Sequence, residues 1–177
     1  MKNFLLIAIP VLMFLAVEPD VANAQNVTGG SRLKKSHVLV SGCTAIGDTV
    51  YIEAWWTKEL KSDKHTIKGM WAKAYDENGN IYSEFEFKTD DNRYDKKKTL
   101  RSNEAKTAPV VIKIAGIPDN VCLFKSISIP FQVDEEHIGD IRKYYRTITD
   151  EIQIIDLPVH RESLDLKNLN DSNLTAL

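Results

Sequence analysis

The chain has 177 residues, with 23 Lys plus Arg against 25 Asp plus Glu and a formal net charge of −2. A balance this close to neutral excludes a basic nucleic-acid binder and an acidic disordered chain. The apolar content of 43% is unevenly spread, and its densest run, about 14 residues, is shorter than the roughly 20 that cross a bilayer, which excludes an integral membrane protein of the helical kind.

That run belongs to a predicted secretory leader over residues 1–24. Lys2 supplies a positive start, residues 4–17 are apolar apart from Pro10, and Ala22-Asn23-Ala24 places small residues for cleavage before Gln25. Removing it lowers the apolar fraction to about 39%, which still suits one globular domain. The expected location is secreted or periplasmic. A polar, Gly-rich stretch over 25–35 is expected to be a flexible lead-in, followed by a domain over 36–158 and a polar tail over 159–177.

Within the domain, the segments 38–44, 49–57, 67–75, 80–88, 110–115 and 121–133 are short runs rich in Val, Ile, Tyr, Trp, Phe and Thr, as strands require. In 80–88 a period of two puts Ile81, Phe85 and Phe87 on one face and Glu84, Glu86 and Lys88 on the other. Asp76-Glu77-Asn78-Gly79, just before it, predicts a tight hairpin turn. Pro130 cannot donate to a ladder, so its strand is expected to be at an edge, bulged or divided there. Ile138, Ile141, Tyr144 and Tyr145 recur at helical spacing, which predicts a short helix or turn near 138–146. A last strand follows over 151–157, ended by Pro158. Short strands separated by turn formers predict an all-β sandwich or barrel.

Few residues stand out as chemistry. His37, His65, His137 and His160 are dispersed, with no pair at metal-ligand spacing, so no metal or cofactor site is predicted. Asp76-Glu77-Asn78-Gly79-Asn80 begins like a calcium loop but has Ile81 and Phe87 where glycine and a bidentate glutamate belong. The basic cluster of Arg93, Lys96, Lys97, Lys98 and Arg101 is interleaved with Asp91 and Asp95 and reads as a solvated loop that discourages edge pairing. Export favours a disulfide between Cys43 and Cys122, the alternative being two unpaired thiols buried as small hydrophobes. Trp55, Trp56 and Trp71 are the candidate binding residues. Neighbours in a strand face opposite ways, so at most one of Trp55 and Trp56 enters a single core. The other needs a cover or is free to anchor a partner protein or stack on a sugar.

Cys43, then Trp55 or Trp56 about a dozen residues on, then Cys122 resembles the Cys…Trp…Cys layout of immunoglobulin-like sandwiches over residues 36–133, with Asn120 standing where the corner tyrosine of that fold belongs. Ala74 to Asn80, with its Asp/Asn-Gly turn, and Gly116-Ile117-Pro118-Asp119 are similar to small bacterial extracytoplasmic domains of immunoglobulin-like fold. The resemblance implies an antiparallel two-sheet sandwich and no catalytic residues. The function expected is therefore a non-enzymatic binding module for another protein, through a strand edge or an exposed aromatic. A hydrolase assembled from distant residues and a structural subunit of a surface assembly are the alternatives.

Overall fold

In a computed structural model, residues 27–138 and 143–161 are described. The predicted leader, residues 25–26 of the lead-in, residues 139–142 and the tail beyond Arg161 lie outside them. The strands are β1 (Val27–Ser31), β2 (Ser36–Ile46), β3 (Thr49–Lys58), β4 (Lys64–Lys68), β5 (Lys73–Asp76), β6 (Ile81–Tyr82), β7 (Phe85–Lys88), β8 (Tyr94–Asp95), β9 (Lys97–Leu100), β10 (Thr107–Ala115), β11 (Leu123–Ile138), β12 (Lys143–Pro158) and β13 (His160–Arg161). Among the described residues the only helical segment is one 3₁₀ turn, Gly69–Trp71. No helix there is long and apolar enough to cross a membrane.

The all-β class is as expected, but the architecture differs from a two-sheet sandwich. All thirteen strands hydrogen-bond into one sheet, ordered β6-β5-β11-β12-β1-β2-β3-β10-β7-β8, with β4 and β9 continuing from β11 and β13 beside β2. The sheet curls into a half-barrel around its own core. Alternation supplies that core: Val38 and Val40 on β2, Ile52, Ala54 and Trp56 on β3, and Val110, Ile112 and Ile114 on β10 all point inward and are buried. A bulge at Ser41, between the pairs Val40↔Ala54 and Gly42↔Glu53, helps bend the sheet.

β11 has neighbours along both edges, one continuous and one divided. It pairs with β12 along its whole length, with β5 through Ser128 and with β4 from Phe131 onward. Pro130 sits where the second neighbour changes. The Glu151 carbonyl opposite it accepts from the Arg32 amide on the far side of β12 (3.1 Å), so Pro130 aims its missing donor at the gap, a local edge within a strand that is otherwise flanked on both sides, the first of the three arrangements expected. The 3₁₀ turn fills that gap and meets β7 from the other end of the sheet. A Cβ on Gly69 would lie 2.3 Å from the Phe85 carbonyl oxygen, and the Gly69 amide donates to Lys96 O at 2.7 Å.

The turn at 76–79 forms as expected. Gly79 has φ +81, β5 pairs with β6, and the Asp76 carboxylate accepts from the Asn78 and Asn80 amides at 2.8 and 2.9 Å and from the Tyr82 hydroxyl at 3.0 Å. The single strand expected over 80–88 divides at Ser83-Glu84, where Phe85 N–H donates back to Ser83 O. β6 stays with β5 while β7 crosses to β10, so Ile81 is exposed while Phe85 and Phe87 are buried. Residues 143–146, part of the predicted helix or turn, are strand: Tyr144 pairs with His137 and their rings stack 5.2 Å apart. Two segments outside the expected domain also add strands, β1 from the lead-in and β13 from the tail.

The predicted disulfide is absent, and Cys43 and Cys122 are free thiols. The chain at Val159-His160 runs between them: the Val159 amide donates to Cys122 O at 2.8 Å, and His160 pairs with Thr44. That places the cysteines about two strand spacings, roughly 9–10 Å, apart, beyond the roughly 7 Å that a bridge tolerates. Cys43 points into the core and Cys122 outward. Burial pushes the Cys43 thiol up to about 12, which suppresses the reactive thiolate. Iodoacetamide should therefore add one adduct to the native protein, at Cys122, and two in denaturant. No native adduct on an intact-mass spectrum would restore the bridge. Gly69→Ala should cost about 1–3 kcal/mol in urea denaturation, because β7 has to move away from the turn.

Candidate binding face

Trp55 and Trp56 divide as alternation requires. Trp56 is 0% exposed, and its Nε1–H donates to Ser36 Oγ at 2.5 Å. Its ring meets Phe131 edge-on at 5.2 Å. Trp55 is 48% exposed on the outer face of β3. Trp71 is 41% exposed, with the Lys68 ammonium 4.5 Å above its ring, but it lies on the 3₁₀ turn between β11 and β7 and not on β3 or either of its ladder neighbours, β2 and β10. The three tryptophans therefore do not converge, and Trp55 alone stands on a broad apolar surface.

Strand register builds that surface. Trp55 is flanked by Pro109 on β10 and by Leu39 on β2, and Leu39 by Thr28 on β1. One step along the ladder from Gly29↔Ile154, Thr28 leads to Ile155. Ile155 pairs with Ser126, Ser126 with Tyr75 and Tyr75 with Ile81. A row of outward side chains thus crosses eight strands at one level, and Trp55, Leu39, Ile155 and Ile81 in it are exposed. Sequence reading singled out Trp55 and missed the rest. The signal was available, since Leu39–Val40 and Ile154–Ile155 are adjacent apolar pairs like Trp55–Trp56, each forced to turn one member outward. Toward Gly47, polar contacts replace the apolar ones: Lys113 binds Glu86 at 2.9 Å and lies 5.5 Å from the Tyr94 ring, and its ammonium holds the Glu86 carboxyl below the usual range.

Pro109 also borders a crevice of about 280 Å³ between β9 and β10, lined by Leu100, Ala108 and Val111 with Lys88, Lys98 and Arg101. Of the basic cluster singled out in the sequence, Lys98 and Arg101 line this crevice, while Arg93, Lys96 and Lys97 do not. Lys98 bridges to the Lys88 carbonyl and Asp90, at 3.0 and 3.1 Å.

Among the histidines, His65 comes closest to a reactive arrangement, with Nδ1 3.1 Å from Ser36 Oγ. It is 0% exposed, so no substrate reaches that contact. Donor counting fixes its form. The Ser36 hydroxyl donates to Thr57 O at 3.0 Å and accepts from Trp56, leaving it one lone pair for a proton on Nδ1. Nε2 is then a bare, buried acceptor without a partner. Burial, with the Lys58 charge nearby, pushes the His65 pKa down to about 4. No group of three or more His, Cys, Asp or Glu side chains among the described residues is arranged to hold a metal ion.

No protein-family model, curated protein or solved structure matches the chain.

His65 stays neutral in the fold while the unfolded chain takes up its proton below pH 6.5, so stability falls as pH drops from 6.5 toward 4. The loss through this residue is about 3 kcal/mol. The lowered carboxylates Asp134, Glu135 and Asp150 add their own loss only near and below pH 4. His65→Asn keeps a donor for Ser36 and should flatten urea-derived stability between pH 6.5 and 4.5; an unchanged slope would refute this origin.

Proposed function

We propose that the domain is an exported binding module, related in design to small extracytoplasmic immunoglobulin-like domains, that holds another protein against the outer face of its sheet around Trp55. Export rests on the leader-like residues 1–24, and the module is read as non-enzymatic and free of cofactors. The observation that carries the proposal is the register-aligned row from Pro109 through Trp55 and Leu39 to Ile155. Isolated exposed apolar side chains are ordinary, but aligned ones form a patch that a partner can dry in a single contact. A tryptophan at such a centre is the side chain most often found to dominate binding energy, because its large rigid surface loses little entropy on docking.

Trp55→Ala removes surface-exposed atoms and should leave the fold intact. In crosslinking capture from the native envelope or medium, the variant should lose its partner by about 30-fold or more, a hot-spot loss of about 2 kcal/mol, while Trp71→Ala captures it as the unaltered protein does. Equal capture by the Trp55 variant would overturn the reading. Self-association on a sizing column that Trp55→Ala abolishes would reassign the face to a contact between copies, as in a surface assembly.

A further inference from the structure

We propose that the open seam between β9 and β10 takes an extended segment of the partner as an added strand, with apolar and acidic side chains alternating along it. The proposal rests on the reading of the domain as a binding module and gives it a second grip beside Trp55. β9 and β10 are joined by the 101–106 loop yet do not pair with each other: β9 pairs with β4, and β10 pairs with β3 and, from Ile112 to Ile114 only, with β7.

Hydrogen-bond phase shows what the two edges offer. The Lys58 amide donates to Lys106 O at 2.9 Å, so even-numbered residues of β10 turn their backbone groups to β3, and Thr107 and Pro109 turn theirs to the seam, which ends where Val111 comes beside Lys88 of β7. The Gly69 amide donates to Lys96 O, so Lys97 and Thr99 on β9 likewise face the seam. An incoming strand meets amides and carbonyls from both sides, the geometry of strand addition. Pro109 contributes a carbonyl only, which makes the edge poor for indiscriminate pairing and selective in register.

Side chains set the chemistry. The crevice, about 280 Å³ with Leu100 and Ala108 on its inward side and Val111 on its outer one, is smaller than ordinary small-molecule sites and matches the alternating side chains of a single strand. Around its mouth Lys98 is paired with Asp90 and Arg101 with Glu104. Lys88, Lys97 and Lys106 have no carboxylate partner among the described residues. A strand projects alternate side chains to opposite faces, so one set meets the apolar lining and the other set meets these lysines, where carboxylates complement them.

The probe is a fluorescein-labelled short peptide of alternating Val and Glu, added to the full chain and followed by anisotropy, with a Val/Lys peptide and a backbone N-methylated Val/Glu peptide beside it. The Val/Glu peptide should bind, the other two should bind at least about tenfold more weakly, and amide exchange at Thr99 and Thr107 should slow. The Lys88→Glu, Lys97→Glu, Lys106→Glu variant, checked for unchanged thermal unfolding, should bind the Val/Glu peptide about tenfold more weakly or worse. No binding of the Val/Glu peptide up to about 1 mM, equal binding of the Val/Lys peptide, or equal binding of the N-methylated one would overturn the proposal. Trp55→Ala keeps the peptide affinity even where it loses the partner, so failure of the outer-face reading and failure of the seam give different results.

Discussion

The fold depends on the contact between the 3₁₀ turn and β7. One continuous sheet has no second sheet to cover its apolar face, so it has to curl until its own ends shield the interior. The ends meet where Gly69 lies against the Phe85 carbonyl, and only a residue without a side chain permits that approach. β11 makes the meeting possible by giving one edge to β5 and then to β4. The gap between those partners admits the turn, and Pro130, which has no donor to waste there, occupies the gap. Removing one atom's width of space at Gly69 therefore affects the whole curl.

Closure by a turn is incomplete closure, and the seam between β9 and β10 is what it leaves. Its base is nonetheless held. The Lys58 ammonium is buried and donates to the carbonyls of Lys61, Asp63 and Arg101 at 3.1, 2.9 and 2.6 Å, so each of its protons has an acceptor. Burial pulls the Lys58 pKa down, with the nearby Asp63 carboxylate opposing that pull. The Asn103 amide adds a bond to Lys61 O at 2.9 Å. These ties join the loop after β3 to the loop before β10, which fixes the seam at one end while its strand edges stay unpaired above.

Local features were legible in the sequence and the long-range ones were not. Asp76 to Gly79 announced a turn because side chain and backbone requirements coincide within five residues. Trp55 and Trp56 could be divided because alternation is a local rule. Cys43 and Cys122 misled because whether they meet is decided by Val159 and His160, distant in sequence and expected to lie in a loose tail. The run from Ile81 to Phe87 kept a perfect period of two across a point where the chain changes partner, since Ser83 and Glu84 suit a bend as well as a strand. Lys58 carries no local mark of burial in the sequence. Its burial follows from three carbonyls contributed by two separate loops, for which no local pattern exists.

The outer row follows from the same geometry. In a two-sheet sandwich each sheet hides one face and an exposed tryptophan is an isolated event, whereas in a single curled sheet the whole convex face is continuous, so outward residues on every strand share one surface. Leu39, Trp55 and Ile155 come from three separate strands, and register alone brings them level. Nothing in core packing requires it, because Val40, Trp56 and Ile154 already fill the inward positions. Burial of these pairs explains one apolar member of each. The second member, turned outward at the same level on β2, β3 and β12, is not required by the core, so these three strands leave apolar area on the convex face beyond what packing of the interior explains.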